Sequence, residues 1–109
     1  MMLSGVWRIT NYSQNDVDMT PMYENYNFIF GTMNELLATN GQEANSGTWS
    51  VTVHNDENDG EMIRFGMNFE SPQDFTLLRG SWSIIEKTDK LIRLKEVNEN
   101  TNEITFEKN

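Results

Sequence analysis

The chain of 109 residues contains no cysteine, one histidine and two prolines, and its 17 aspartates and glutamates outnumber its eight lysines and arginines. Each shortage removes a class of chemistry. Without cysteine there is no disulfide, no thiolate nucleophile and no Cys-based zinc or iron–sulfur site. The single histidine, His54, leaves a Ser/His pair or a multi-histidine metal site short of material. A net charge of -9 repels phosphate backbones and anionic lipid, so neither nucleic acid nor a membrane surface is an expected partner. No apolar run approaches the roughly 18 residues of a membrane-spanning helix. Met1-Met2-Leu3-Ser4 leads directly into a strand-like phrase and resembles no secretion signal, so the expectation is a cytoplasmic protein or one whose leader has been removed. The length suits one domain over residues 1–109.

What is present is a phrase used three times: Gly5-Val6-Trp7-Arg8-Ile9, Gly47-Thr48-Trp49-Ser50-Val51 and Gly80-Ser81-Trp82-Ser83-Ile84. In a strand, residues i, i+2 and i+4 share a face, so each phrase sets glycine, tryptophan and Ile/Val on one side and more polar residues on the other. The missing glycine side chain lets a strand bend or a neighbouring ring cross it.

Taken in order, the pattern predicts a first strand over Ser4 to Tyr12 and then a polar connection, Ser13 to Asn25, with room for a turn of helix. Tyr26 to Phe30 and Glu35 to Asn40 read as strands two and three. Asn40-Gly41 is a hairpin dipeptide of the type I′ kind, in which both central residues need positive φ. Strand four alternates Gly47, Trp49, Val51 and Val53 inward against Thr48, Ser50, Thr52 and His54 outward. After the acidic turn His54 to Glu61, ending in Asp59-Gly60, strand five sets Ile63, Phe65, Met67 and Phe69 inward. Ser71-Pro72-Gln73-Asp74 reads as a helix start, with Phe75 and Leu78 at helical spacing, so one short helical turn is expected near residues 72–79. Ser81 to Lys87, Leu91 to Val97 and a last strand around Ile104 and Phe106 complete eight strands. Short connections and one apolar face per strand lead to an all-β fold: an eight-stranded antiparallel up-and-down barrel, with a sandwich as the alternative. Closure requires the last strand to pair with the first.

Gly5-x-Trp7, Asn40-Gly41 followed by Gly47-Thr48-Trp49-Ser50-Val51, and the closing Ile104-Thr105-Phe106-Glu107-Lys108 together resemble the lipocalin-like (calycin-type) domains of exported bacterial lipoproteins. The chain is shorter than a typical lipocalin and lacks that family's carboxy-terminal helix and lipidated cysteine. The resemblance implies a lipocalin-like barrel and an exported setting, in the periplasm or at the cell surface and lipid-anchored in a full-length precursor. It implies no particular ligand.

Trp7, Trp49, Trp82, Phe28 and Phe65 are expected in the barrel interior, which is either filled by side chains or open to one small ligand. Met19, Met22, Tyr23 and Tyr26, with Tyr12, would line a mouth beneath the Ser13 to Asn25 connection, flexible thioethers and phenols adapting to a ligand; alternatively they plug the core. Two thioethers alone make a poor copper site. Asp56 and Asp59 are the residues of a weak calcium candidate, against which stands a plain solvated hairpin, since Gly66 occupies the place where an EF-hand needs glutamate. Arg64 beside Glu35 or Glu86 is read as a surface pair. The expectation is a non-catalytic binding domain without cofactor, monomeric or weakly dimeric, taking a small apolar or amphipathic ligand at one barrel end. The alternative is a solidly packed exported domain that contacts protein or glycan through its acidic exterior.

Overall fold

The computed structural model describes residues 3, 5–56, 60–70, 73–96 and 102–109. Among these residues the chain forms β1 (Trp7–Gln14), β2 (Val17–Asp18), a 3-10 turn (Thr20–Met22), β3 (Asn27–Phe30), β4 (Glu35–Thr39), β5 (Ala44–Asp56), β6 (Gly60–Asn68), α1 (Gln73–Thr76), β7 (Gly80–Lys87), β8 (Leu91–Glu96) and β9 (Glu103–Lys108). The sheet order is β2-β1-β3-β4-β5-β6-β7-β8-β9, every neighbour antiparallel, and β1 pairs again with β9. Eight strands thus close an up-and-down barrel, with β2 as one short strand outside the ring.

The ring closes unevenly. Six residue pairs from Trp7↔Lys108 to Ser13↔Glu103 join β1 to β9, whereas Trp7↔Phe28 is the one pair joining β1 to β3. Beside that seam the residue after β9 reaches β3 directly, the Asn109 side-chain amide donating to Asn27 Oδ1 at 3.0 Å.

Alternation sets the core. Trp7, Ile9, Phe28, Phe30, Leu36, Ala38, Trp49, Phe65, Met67, Phe69, Trp82, Ile92, Leu94, Ile104 and Phe106 are all buried. Burial of side chains of this size is the main driving force for closing such a ring. Two tryptophans anchor their polar end as well: Trp49 Nε1 donates to the Gly31 carbonyl at 3.0 Å and Trp82 Nε1 to the Leu78 carbonyl at 3.1 Å. Gly47 is where a ring does cross a strand. A Cβ built there would collide with the Asn68 carbonyl oxygen and lie 2.8 Å from the Phe69 ring.

Several expectations are corrected. The first strand begins at Trp7 rather than Ser4 and runs on to Gln14, and Asn15 (φ 51°) and Asp16 (φ 67°) turn it directly into β2. Both central residues of that turn have positive φ, the type I′ requirement. The expected I′ turn at Asn40-Gly41 is not formed: Gly41 (φ 92°) is the one of the two with positive φ. Thr39 instead pairs with Ala44 across a loop of four residues, pinned by the Asn40 side chain accepting from the Gln42 and Glu43 amides at 2.9 and 2.8 Å. β5 therefore starts at Ala44, three residues before Gly47, and is 13 residues long. Tyr26 stands outside β3, which begins at Asn27. Val53 and Ile63, expected inward, are 55% and 37% exposed because they pair with each other beyond the points where the β4–β5 and β6–β7 ladders end. The Asp59-Gly60 signal falls partly outside the described residues, although Asp56 does pair with Gly60. Ser71 and Pro72 lie outside them too.

Candidate functional site

The end of the barrel expected to carry a mouth is the one where β1 finishes and β3, β5 and β7 begin. Its construction starts with a change of parity. Trp7 and Ile9 face inward, whereas Gly5, expected on the same face, is exposed and precedes the strand; Asn11 should follow Ile9, but the β1–β9 register shifts between Ile9 and Asn11. One extra residue flips the alternation. Asn11 is exposed and Tyr12 is completely buried.

Tyr12 then organises the end. Its ring stacks on Tyr23 (centroids 5.5 Å apart, planes 8° from parallel) and meets Trp82 edge-on at 6.4 Å. Phe75 of α1 packs edge-on against both Tyr23 (5.6 Å) and Tyr26 (4.9 Å), and touches Phe28 and Phe69. Offset and edge-to-face pairs of this kind add about 0.5–1.5 kcal/mol each beyond their buried area. The Tyr12 hydroxyl donates to the Leu77 carbonyl at 3.0 Å, so the phenol is satisfied inside the cluster. Burial, with the Glu96 carboxylate second, pushes its pKa from 10.0 up to about 12.

The connection over this end is fastened to β1. The Met19 amide donates to the Tyr12 carbonyl at 2.7 Å, and the Tyr12 amide donates to Thr20 Oγ1 at 2.9 Å. Asp18 Oδ1 accepts from the Thr20 amide at 2.9 Å. Hydrogen bonds from the Thr20 side chain and backbone hold the exposed Asp18 carboxyl below its ordinary pKa. Beneath the turn, buried Asn102 accepts from the Asn15 amide at 2.9 Å and donates to Glu96, tying the β1–β2 turn to β8.

The five residues expected around a mouth are therefore brought to one end. Tyr12 and Tyr23 are core, while Met19, Met22 and Tyr26 are partly buried against it. Of the five residues expected inside, Trp7, Phe28, Phe65 and Trp82 are at most 2% exposed and Trp49 is 8% exposed. One polar atom here lacks a partner among the described residues. Asn45 pairs with buried Ala38, so its side chain faces inward, and its buried Nδ2 makes no hydrogen bond.

The opposite surface of β5 and β6 holds a groove that sequence reasoning did not single out. Thr48 pairs with Asn68 and Ser50 with Gly66, and these four residues floor a depression of about 320 Å³ with Asn34 at its rim. A neighbouring depression of about 310 Å³ shares Thr48 and Asn68 and adds Ser46 and Glu70. The signal was visible as a row of small outward residues, Ser46, Thr48 and Ser50, facing a glycine.

Nothing matches this chain: no protein family, no curated protein and no solved structure. Its remaining candidates are placed by the structure alone. His54 pairs with Met62 and Asp56 with Gly60 on the β5–β6 hairpin, and Asp59 lies outside the described residues. Among the described residues no group of three metal-ligating side chains comes together, and no helix is long and apolar enough to cross a membrane. Arg93 takes Glu86 as its partner at 3.1 Å, an exposed pair, and Arg64 Nη1 donates to Ser83 Oγ at 3.4 Å.

Proposed function

We propose that this protein is a non-catalytic binding domain that meets a protein or glycan partner on its outer surface, with the barrel interior serving as scaffold. The observation that carries this is the Tyr12–Tyr23–Phe75–Tyr26 cluster, which fills the end where a ligand mouth was expected. Admitting a ligand there means separating stacked, fully buried rings. The outer groove, by contrast, is open without moving anything and sets the hydroxyls and amides of Thr48, Ser50 and Asn68 beside apolar surface from Trp49 and Met67, a mixed lining suited to a ligand with both hydroxyl groups and a hydrocarbon face. The absence of cysteine and the single histidine favour recognition over catalysis, and the lipocalin-like resemblance favours an exported or surface setting.

Amide spectra of the labelled protein test this. Long-chain fatty acid should leave Tyr12, Tyr23 and Phe75 unmoved, while a panel of oligosaccharides should shift Thr48, Ser50 and Asn68; movement of the buried tyrosines by the fatty acid overturns the reading.

A second reading, a small amphipathic ligand at the covered end, is favoured by Asn45. An inward amide donor without a partner suits a ligand carrying a carbonyl or ether oxygen, since leaving a buried donor unsatisfied costs about 1–3 kcal/mol. Asn45→Val then separates the two readings. With no ligand in the barrel, removing the orphan donor raises stability by about 1 kcal/mol in a urea melt. If the protein as purified carries a ligand, native mass spectrometry shows an added mass that the variant loses.

A further inference from the structure

The β5–β6 hairpin outgrows the barrel. β4 accompanies β5 only from Ala44 to Thr48, and β7 accompanies β6 only from Arg64 to Met67, yet β5 and β6 stay paired as far as Asp56↔Gly60. At about 3.3 Å per residue, the part of β5 beyond Val51 is a two-stranded ribbon roughly 15–20 Å long. Because β5 runs in the same direction as β3, this ribbon leaves the barrel at the end opposite the aromatic cluster.

One edge of the ribbon is open. In an antiparallel ladder the backbone groups of alternate residues face opposite neighbours. Asn34 marks which set faces away from β6: the Trp49 amide donates to the Asn34 carbonyl at 3.0 Å, and the Asn34 side-chain amide donates to the Trp49 carbonyl at 3.0 Å. Beyond this cap the amides and carbonyls of Val51, Val53 and Asn55 point the same way, and among the described residues no strand lies beside them. Proline, lysine and bulges are the usual protection of a strand edge. Val51-Thr52-Val53 carries none of them, and the β5–β6 register is unbroken there. The face continuous with the barrel interior shows half-buried Val51 and exposed Val53 and Ile63.

We propose that the edge of β5 from Val51 to Asn55 is a docking site for an extended segment of a protein partner, added as an antiparallel strand, whose residues alternate between apolar and basic. Strand addition draws affinity from main-chain hydrogen bonds and selectivity from alternate side chains. Apolar positions of the incoming strand lie beside Val51 and Val53, on the face that Ile63 of β6 extends. Charge selects the rest. The chain carries -9, and Asp56 to Glu61 contains four acidic residues and no basic one. A second copy would carry the same net charge of -9; a lysine- or arginine-bearing strand complements it. This inference rests on the outer-surface reading above and names the class of partner.

The probe is an end-blocked octapeptide of alternating lysine and valine, titrated into the labelled full chain. The expected result is saturable shifts and slowed exchange at the Val51, Val53 and Asn55 amides. Affinity should be about tenfold weaker in 1 M than in 0.1 M salt, where the screening length is roughly 3 Å against 10 Å. A control peptide with proline at alternate positions cannot complete the ladder and should not bind. Val53→Pro removes an edge donor that β6 does not use, and should abolish binding with little change in melting temperature; Val53→Lys, an exposed change that needs no backbone adjustment, should weaken it at least fivefold by charge. No shift at millimolar peptide overturns the proposal, as does protection of the edge that rises with protein concentration alone, which would identify a second copy. Shifts confined to Thr48, Ser50 and Asn68 overturn it while leaving an outer-surface partner in place; shifts at Tyr12 and Tyr23 overturn both.

Discussion

At the scale of single residues, one phrase does three separate jobs. Trp82 is 1% exposed and caps the Leu78 carbonyl, Trp49 is 8% exposed and reaches Gly31 across the β3–β4 turn, and Trp7 stands at the junction of three strands. Trp82→Ala therefore removes a large buried ring and orphans a carbonyl, and should cost about 3–5 kcal/mol in a denaturant melt. Tyr12 gives a pH signature. Its folded-state pKa is raised from 10.0 to about 12, so the folded chain holds this proton more tightly than the unfolded chain does. The resulting stabilisation is complete below pH 10, declines as pH rises from 10 to 12, and is gone above the folded value. Melting temperatures followed across that window should fall for the wild type, and Tyr12→Phe, which lacks the proton, should flatten that part of the curve.

Element by element, the barrel was legible wherever alternation runs without interruption. Trp49 of β5, Phe65 and Met67 of β6, Ile92 and Leu94 of β8, and Ile104 and Phe106 of β9 are buried on the face that their two-residue period assigns, whereas Val53 and Ile63 keep the same period and are exposed because the neighbouring ladders stop short of them. It failed where a tertiary contact or one extra residue decides. The bulge after Ile9 moves Tyr12 into the core, and nothing in Ile9-Thr10-Asn11-Tyr12 announces it. Asn15-Asp16 forms the tight I′ turn that Asn40-Gly41 was expected to form, because Asn102 receives the Asn15 amide while the Asn40 side chain is drawn into capping a longer loop. The Ser13 to Asn25 connection reads as polar, yet holds a strand, a 3-10 turn and the ring that seals the barrel. Uneven closure has its own readout. Since β1 meets β3 through one backbone pair and β9 through six, hydrogen exchange should be fastest among the β3 amides facing β1 and slow along β1 and β9. Equal protection on both sides of β1 would show that packing of Phe28 and Phe30, rather than the ladder, governs opening there.

For the whole molecule, charge and shape act together. A net charge of -9 on 109 residues repels itself most when the chain is compact, so added salt should raise the melting temperature until the screening length falls to a few ångströms. A melting temperature independent of sodium chloride between 0.02 and about 0.5 M would mean that the acids are spread too thinly to interact. The closed ring also sets how the molecule bears tension. Trp7 and Lys108 face each other across the first rung of an antiparallel ladder, and the Asn109 amide reaches the Val6 carbonyl at 2.9 Å. A pull applied at those two points meets the β1–β9 bonds one after another, as a zipper, and never loads them side by side as in shear. The strands that seal the barrel so thoroughly against water thus yield to force at low load, starting from the seam where the ring was closed.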